Sequence, residues 1–260
     1  LGRAIAADRA AGLRPFLIVA NAGTTNTGAI DPLPALGRLA EDDGLWLHVD
    51  GAYGAAAALT ARGRALLDGL GGAHSVVVDP HKWLFQPYEI GALLVRDPAW
   101  LRRAFAMDAD YLQDTGAGQG EINFCDHGLQ LTRGFRALKL WMTVQVFGMD
   151  ALQAAIDHGL DLAEHAGRLL EAHPRFEVMT PPSLGVVTFR YMPKAGGADA
   201  INRDLVEAMI RDGFTLATST TVRGHTVLRL CAINPRTTEA DVAAVIDRIA
   251  RLGAALEAGA

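Results

Sequence analysis

The stretch Ser75–Val95, SVVVDPHKWLFQPYEIGALLV, decides how the chain is read. Its run of β-branched residues predicts a buried strand, and Asp79-Pro80 predicts the turn that ends it. A surface turn would carry small polar residues. This one presents His81, Lys82 and Trp83 in succession, so a basic side chain stands between two aromatic ones at a strand's end.

Two further apolar runs of the same kind precede it, Pro15–Asn21 (PFLIVAN) and Leu45–Asp50 (LWLHVD). All three read as parallel strands buried on both faces. The intervening DPLPALGRLAEDDG (31–44) has Pro near its start and Gly at its end, the asymmetry of a helix. ALTARGRALLDGLGG (58–72) reads as a second helix ended by glycines. Strand and helix alternating at intervals of about 30 residues predict an α/β fold. The next strand, Ile90–Asp97, follows too closely for a parallel crossover and is expected to run antiparallel. A Gly- and Asp-rich loop at about 108–122 has the length of a functional lid. Two helices broken near Gly148 follow. From Pro174 onward, short strands alternate with helices in an α+β pattern. The expected division is a larger unit over 1–148 and a smaller C-terminal α+β unit over 149–260.

Composition excludes some classes of function. The 260 residues carry a formal net charge of −5, which disfavours nucleic acid and anionic membranes as partners. The longest apolar runs fall short of a membrane span. Cys125 and Cys231 show neither metal spacing nor a disulfide framework, so a reducing cytoplasm is the expected compartment.

In parallel α/β sheets the carboxyl ends of the strands share one edge, and ligands bind there. That edge is predicted to receive Thr24 and Thr25 from NAGTTNTG, Asp50 from the second strand, and Asp79, His81 and Lys82 from the third. Lysine forms imines with carbonyl compounds, including pyridoxal 5'-phosphate (PLP). Enzymes that use PLP pair such a lysine with an acid facing the pyridine nitrogen. An aspartate there favours the protonated ring, which accepts the electron pair of a breaking Cα bond.

NAGTTNTGAIDPL, WLHVDGAYG and DPHKWL together resemble the group II PLP-dependent amino-acid decarboxylases, the family of aromatic-L-amino-acid decarboxylase. The likeness continues through DADYLQD and TRGFRALKLWM to RLCAINPRTTEADV. It implies the PLP-dependent transferase fold type I: a large, mainly parallel seven-stranded sheet domain and a small C-terminal domain. By position, Lys82 corresponds to the lysine that holds PLP, and Asp50 to the partner of the pyridine nitrogen. Ala52 would pack on one ring face, Thr25 at the ring edge, and His81 beside the cofactor and its phosphate. Asp79 falls on the phosphate side, where some members carry asparagine. Tyr111 corresponds to the tyrosine that protonates Cα once carbon dioxide has left; members with phenylalanine there tend to be aldehyde synthases.

The expected reaction is decarboxylation of an aromatic or otherwise apolar L-amino acid, in a homodimer. An aldehyde synthase, an aminotransferase or a non-catalytic subunit that keeps the fold are the alternatives. Members of the family are about twice this length. The resemblance therefore implies that the chain is the C-terminal part of an enzyme whose N-terminal half supplies the phosphate site and much of the substrate pocket.

Other residues suit plainer roles. His48 shares a face with Asp50 and is expected to be a core histidine rather than a metal ligand. Arg133 and Arg136 suit either an anion or a structural salt bridge. Trp83, Phe85 and Tyr88 suit either core packing or an apolar pocket wall. Arg229 alternates with apolar neighbours.

Overall fold

The computed structural model describes residues 1–106 and 122–259. After helix α1 (Gly2–Ala10), strands β1 (Leu17–Asn21), β2 (Trp46–Asp50), β3 (Ser75–Val78) and β4 (Ala92–Val95) form a sheet in the order β1-β2-β3-β4. The first three are parallel, and β4 pairs antiparallel with β3, as the short connection dictates. Helix α2 (Leu33–Asp43) has Pro34 in its first turn and stops at Gly44, whose φ of 64° places it in the left-handed region suited to glycine. The 58–72 segment is less regular than expected. Only α3 (Ala61–Leu66) is α-helical, N-capped by Thr60, whose hydroxyl accepts from the Gly63 amide at 2.9 Å. Short 3₁₀ turns flank it.

Register fixes which side chains share a face. Val19, His48, Ser75 and Val95 lie in one row, and Asn21, Asp50, Val77 and Leu93 in the next. The opposite face, with Ile18, Ala20, Leu47 and Val49, is buried. The expectation that these strands are covered on both sides is thus corrected. Their burial alternates, and the face that carries Asp50 leaves Val19 56% exposed and Leu17 and Leu93 half-exposed. The sequence is apolar on both faces, but among the described residues only one face has a cover.

Helix α4 (Pro98–Phe105) follows β4, with the Asp97 carboxylate capping the Ala99 amide at 2.9 Å. Helix α5 (Ala137–Ala172) is two helices meeting at Gly148, whose φ of 80° and ψ of 164° interrupt the helical path. Before the kink, Trp141, Met142, Val146 and Phe147 are largely exposed; after it, Leu152, Ile156, Leu160 and Leu162 are buried. Strands β5 (Phe176–Ser183), β6 (Val186–Tyr191), β7 (Thr218–Val222) and β8 (His225–Cys231) form an antiparallel sheet in the order β5-β6-β8-β7. Helices α6 (Ala198–Asp212) and α7 (Glu239–Gly259) complete that half. Every residue of β6 is buried. One hydrophobic core under the first sheet also takes in Ile156, Leu160, Leu184 and Val186, so the two sheets share packing. The other core joins Leu205, Met209, Val242, Ile246 and Ile249 to the second sheet.

Two polar clasps close the second core. Buried Asn202 accepts from the Tyr191 amide and donates to the Tyr191 and Ala198 carbonyls, so its amide group is satisfied without water. Near the end of α7, Glu257 accepts from the Lys194 amide at 2.6 Å, from the Tyr191 hydroxyl at 3.1 Å and from Arg175. The Lys194 backbone bond, with help from Tyr191 and Arg175, holds its carboxyl below the usual range against the opposing effect of desolvation. A carboxyl depressed in the folded state stabilises above its unfolded pKa, about 4.3, and loses that contribution as pH falls through the folded value. Glu257→Gln should therefore lower Tm at pH 7 and shrink the gap from wild type below about pH 4. Thermal melts from pH 3 to 7 check this, and a gap that does not change with pH would count against it.

Candidate active site

The register of Asn21, Asp50 and Val77 brings three strand ends side by side, neighbours about 4.8 Å apart. Asp50 is exposed at the end of β2, and its Oδ1 accepts from the Ala52 amide at 3.1 Å. The Asp79 amide donates to the Ala52 carbonyl at 3.0 Å, so the loops after β2 and β3 are joined directly. Glycine permits the tight approach of the β2 loop. A Cβ on Gly51 would stand 2.4 Å from that of Ala55, and one on Gly54 would stand 2.2 Å from the Ala22 carbonyl oxygen.

Beyond β3 the Lys82 amide donates to the Asp79 carbonyl at 2.9 Å, which forms a turn. The Lys82 ammonium, on a side chain 38% exposed, lies 2.8 Å from Asp79 Oδ2. His81 Nε2 is 3.8 Å from the same oxygen, and its Nδ1 sits 2.6 Å from the Ile90 carbonyl oxygen. Thr25 is exposed in the loop after β1, in a shallow recess with Thr24, Thr27 and Arg223; the Thr24 hydroxyl pairs with that of Thr27 at 3.0 Å.

The aromatic residues beside these groups carry the architecture. Tyr53 and Trp83 stack with ring centroids 5.2 Å apart and planes 8° from parallel. Trp83 is completely buried, which settles it as core. The Tyr53 hydroxyl donates to the Leu184 carbonyl at the β5–β6 turn and lies 3.6 Å from Cys231 Sγ. Burial first, then Cys231, pushes this phenol far above its ordinary pKa, so it remains a protonated donor. Gly185, with φ of 78°, lets the turn close over the pair, since a Cβ there would meet the Tyr53 hydroxyl at 3.0 Å.

The loop after Trp83 is tied to α5. Arg136 pairs with Glu89 at 2.7 Å, and Lys139 Nζ donates to the Pro87 and Glu89 carbonyls at 2.9 and 2.8 Å. Of the two roles open to Arg136, the structural salt bridge is the one observed. Arg133, His81, Tyr88 and Leu129 border a recess of about 350 Å³ beside this loop. Tyr88 is largely exposed there, edge-on to His81. His48 bonds to the Ser75 hydroxyl at 2.7 Å, and among the described residues no His, Cys, Asp or Glu cluster could hold a metal. Tyr111 and most of the 108–122 loop lie outside the described residues. Tyr53 was missed in the sequence; its spacing of three from Asp50, between small residues, was the signal available.

These residues suit the ring end of PLP. They bring an accessible amine, an exposed carboxylate that accepts from the Ala52 amide, a hydroxyl and the small side chain of Ala52. They suit the phosphate poorly, because the nearest charged groups to Lys82 and His81 include the carboxylate of Asp79. The fold itself is the PLP-dependent transferase fold type I; this chain shows a mainly parallel four-stranded sheet, not the seven strands expected, followed by an antiparallel four-stranded one. The family described as "Pyridoxal-dependent decarboxylase conserved domain" matches residues 1–192, and the chain belongs to it. It is 44% identical over 257 residues to an aromatic-L-amino-acid decarboxylase of Bacillus atrophaeus, covering 97% of this chain and 54% of that protein. It is 35% identical to a phenylacetaldehyde synthase of Arabidopsis thaliana, covering 92% and 49%. The crystal structure of Oryza sativa TDC with PLP and tryptamine superposes with a TM-score of 0.91 at 31% identity, covering 98% and 54%. The chain thus spans about half the length of the relatives it matches.

Tyr53→Phe removes the donor to the buried Leu184 carbonyl and should cost about 1–3 kcal/mol. Trp83→Ala should cost about 3–5 kcal/mol. Urea unfolding measures both, and a loss below about 0.5 kcal/mol in either would contradict the packing described.

Proposed function

We propose that this chain provides the lysine and the ring-nitrogen acid of a PLP-dependent carboxy-lyase that converts an aromatic or otherwise apolar L-amino acid to its amine and carbon dioxide. The observation that carries this reading is the delivery of Lys82 and Asp50 from the ends of adjacent parallel strands, within a chain of the pyridoxal-dependent decarboxylase family. When bound, the cofactor supplies an electron sink for the bond from Cα to the carboxylate. Lys82 is the point of covalent attachment. Asp50 holds a proton on the pyridine nitrogen. Ala52 leaves room for the ring face, Thr25 meets its edge, and His81 lies beside cofactor and phosphate. Asp79 falls on the phosphate side. Tyr111 returns the proton to Cα, and its hydroxyl favours the amine over the aldehyde.

Further polypeptide completes the site. Among the described residues, the uncovered sheet face around Val19 and Leu93 and the exposed side chains before the α5 kink support this. We assign the cover to the N-terminal half that the relatives' length implies, and the complete enzyme to a homodimer. Residues 1–148 form the C-terminal part of the cofactor domain, and 149–260 the small domain. The free cysteines Cys125 and Cys231 favour the cytoplasm, and no helix among the described residues is long and apolar enough to cross a membrane.

The test is product analysis with carboxyl-labelled L-phenylalanine, L-tyrosine and L-tryptophan, PLP and the completed enzyme. Amine and carbon dioxide in equal amounts are expected. Lys82→Ala should lose at least about a thousandfold in turnover, the scale seen when a covalent nucleophile is removed. Aldehyde with ammonia would replace this reading with aldehyde synthesis, and no turnover by the wild type would leave the non-catalytic alternative.

A further inference from the structure

The contact between Lys82 and Asp79 has no part in the roles above. The Lys82 ammonium sits 2.8 Å from Asp79 Oδ2, and the Asp79 side chain is only 19% exposed. Backbone bonds enforce the pairing. The Asp79 amide is held by Ala52, and the Lys82 amide by the Asp79 carbonyl, so both side chains leave one turn on the same side. The other carboxyl oxygen lies where a Cβ on Gly91 would stand 3.1 Å away, so the bare glycine opposite leaves the carboxylate its place. Asp50, by contrast, is engaged by the Ala52 amide. The two carboxylates at this edge have separate partners.

We propose that Asp79 is a positioning residue for Lys82: a counter-ion that parks the side chain as an ammonium whenever it is not bonded to an aldehyde, and so meters its reactivity. The inference rests on Lys82 being the lysine of attachment. An ammonium has no lone pair with which to attack a carbonyl, so the amine must give up a proton before its nitrogen adds to the carbonyl carbon. The carbon–oxygen double bond is replaced by carbon–nitrogen, the oxygen leaves as water, and ammonium plus aldehyde yields protonated imine plus water. Nothing is oxidised or reduced, and the positive charge is conserved. Asp79 therefore faces a cation before and after the step while slowing entry to it.

Lys82, Lys139 and Lys194 are the chain's three lysines, which makes the test clean. The full chain is treated with formaldehyde and cyanoborohydride, and methylation of each lysine is followed by peptide mass spectrometry. Exposed Lys194 is the reference, and Lys139, tied to two carbonyls, reports the integrity of the loop. Asp79→Asn should raise the Lys82 rate relative to Lys194 about fivefold, the scale of a partly exposed ion pair. Asp79→Glu should stay close to wild type. An unchanged Lys82 to Lys194 ratio in Asp79→Asn overturns the proposal. If Asp79→Asn also accelerates Lys139, the glutamate variant decides: slow Lys82 supports the proposal and fast Lys82 overturns it. A parallel sample trapped with PLP and borohydride tests the attachment reading separately, because absence of a pyridoxyl adduct on Lys82 would defeat that reading whatever the methylation rates.

Discussion

The stack of Tyr53 on Trp83 is the contact on which the rest of the site depends. Tyr53 stands three residues beyond Asp50, and Trp83 directly follows Lys82, so one pair of rings fixes the spacing of two loops that leave different strands. A pair of this geometry is worth about 0.5–1.5 kcal/mol beyond the area it buries. Its second edge is the β5–β6 turn, where the Tyr53 hydroxyl meets the Leu184 carbonyl and Ala232 donates to Gly185. The second sheet therefore acts as a buttress for the first. A disturbance in the core around Leu184 would reach Asp50 and Lys82 through two rings and no flexible side chain.

Electrostatics then divides the work at the open edge. Two carboxylates and one amine stand at the ends of the adjacent strands β2 and β3. Asp50 is anchored through a backbone amide and presents its charge outward, whereas Asp79 turns toward Lys82. Tyr53 lies behind them and contributes only a neutral donor, because burial prevents its ionisation. The result is a surface with one outward-facing acid and a lysine paired to the other. Asp79 adds a second negative charge, beside Lys82, and among the described residues Val19 and Leu93 stand exposed on the same sheet face.

Much of this was legible in the sequence. The length of the connection to Ile90 gave the direction of β4, Gly148 gave the break in α5, and the polar residues that close each apolar run gave the strand-end constellation. What escaped was set by partners distant in the chain. Leu17 and Val19 read as core because their chemistry is apolar, but burial depends on a cover that the local pattern does not encode. Tyr53 carried no local signal of its hydrogen bond, since the carbonyl it needs lies 131 positions away. Asp79 read as a phosphate-side residue by analogy, and only the geometry of the turn turns it toward Lys82. The 58–72 segment is not the single helix expected, because its glycines do more than terminate: a Cβ on Gly63 would stand 1.9 Å from the Ala57 carbonyl oxygen.

The central claim is that Lys82 and Asp50 grip one heterocycle, and it can be measured on a single species. PLP labelled with ¹⁵N in the ring would be fixed to the protein by borohydride, the adduct mapped by mass spectrometry, and the nitrogen shift recorded by NMR in wild type and Asp50→Asn. The account predicts an adduct on Lys82 alone among the three lysines, with a protonated ring nitrogen that loses its proton when Asp50 is neutralised. An adduct on Lys139 or Lys194, or a nitrogen shift indifferent to Asp50, would contradict it.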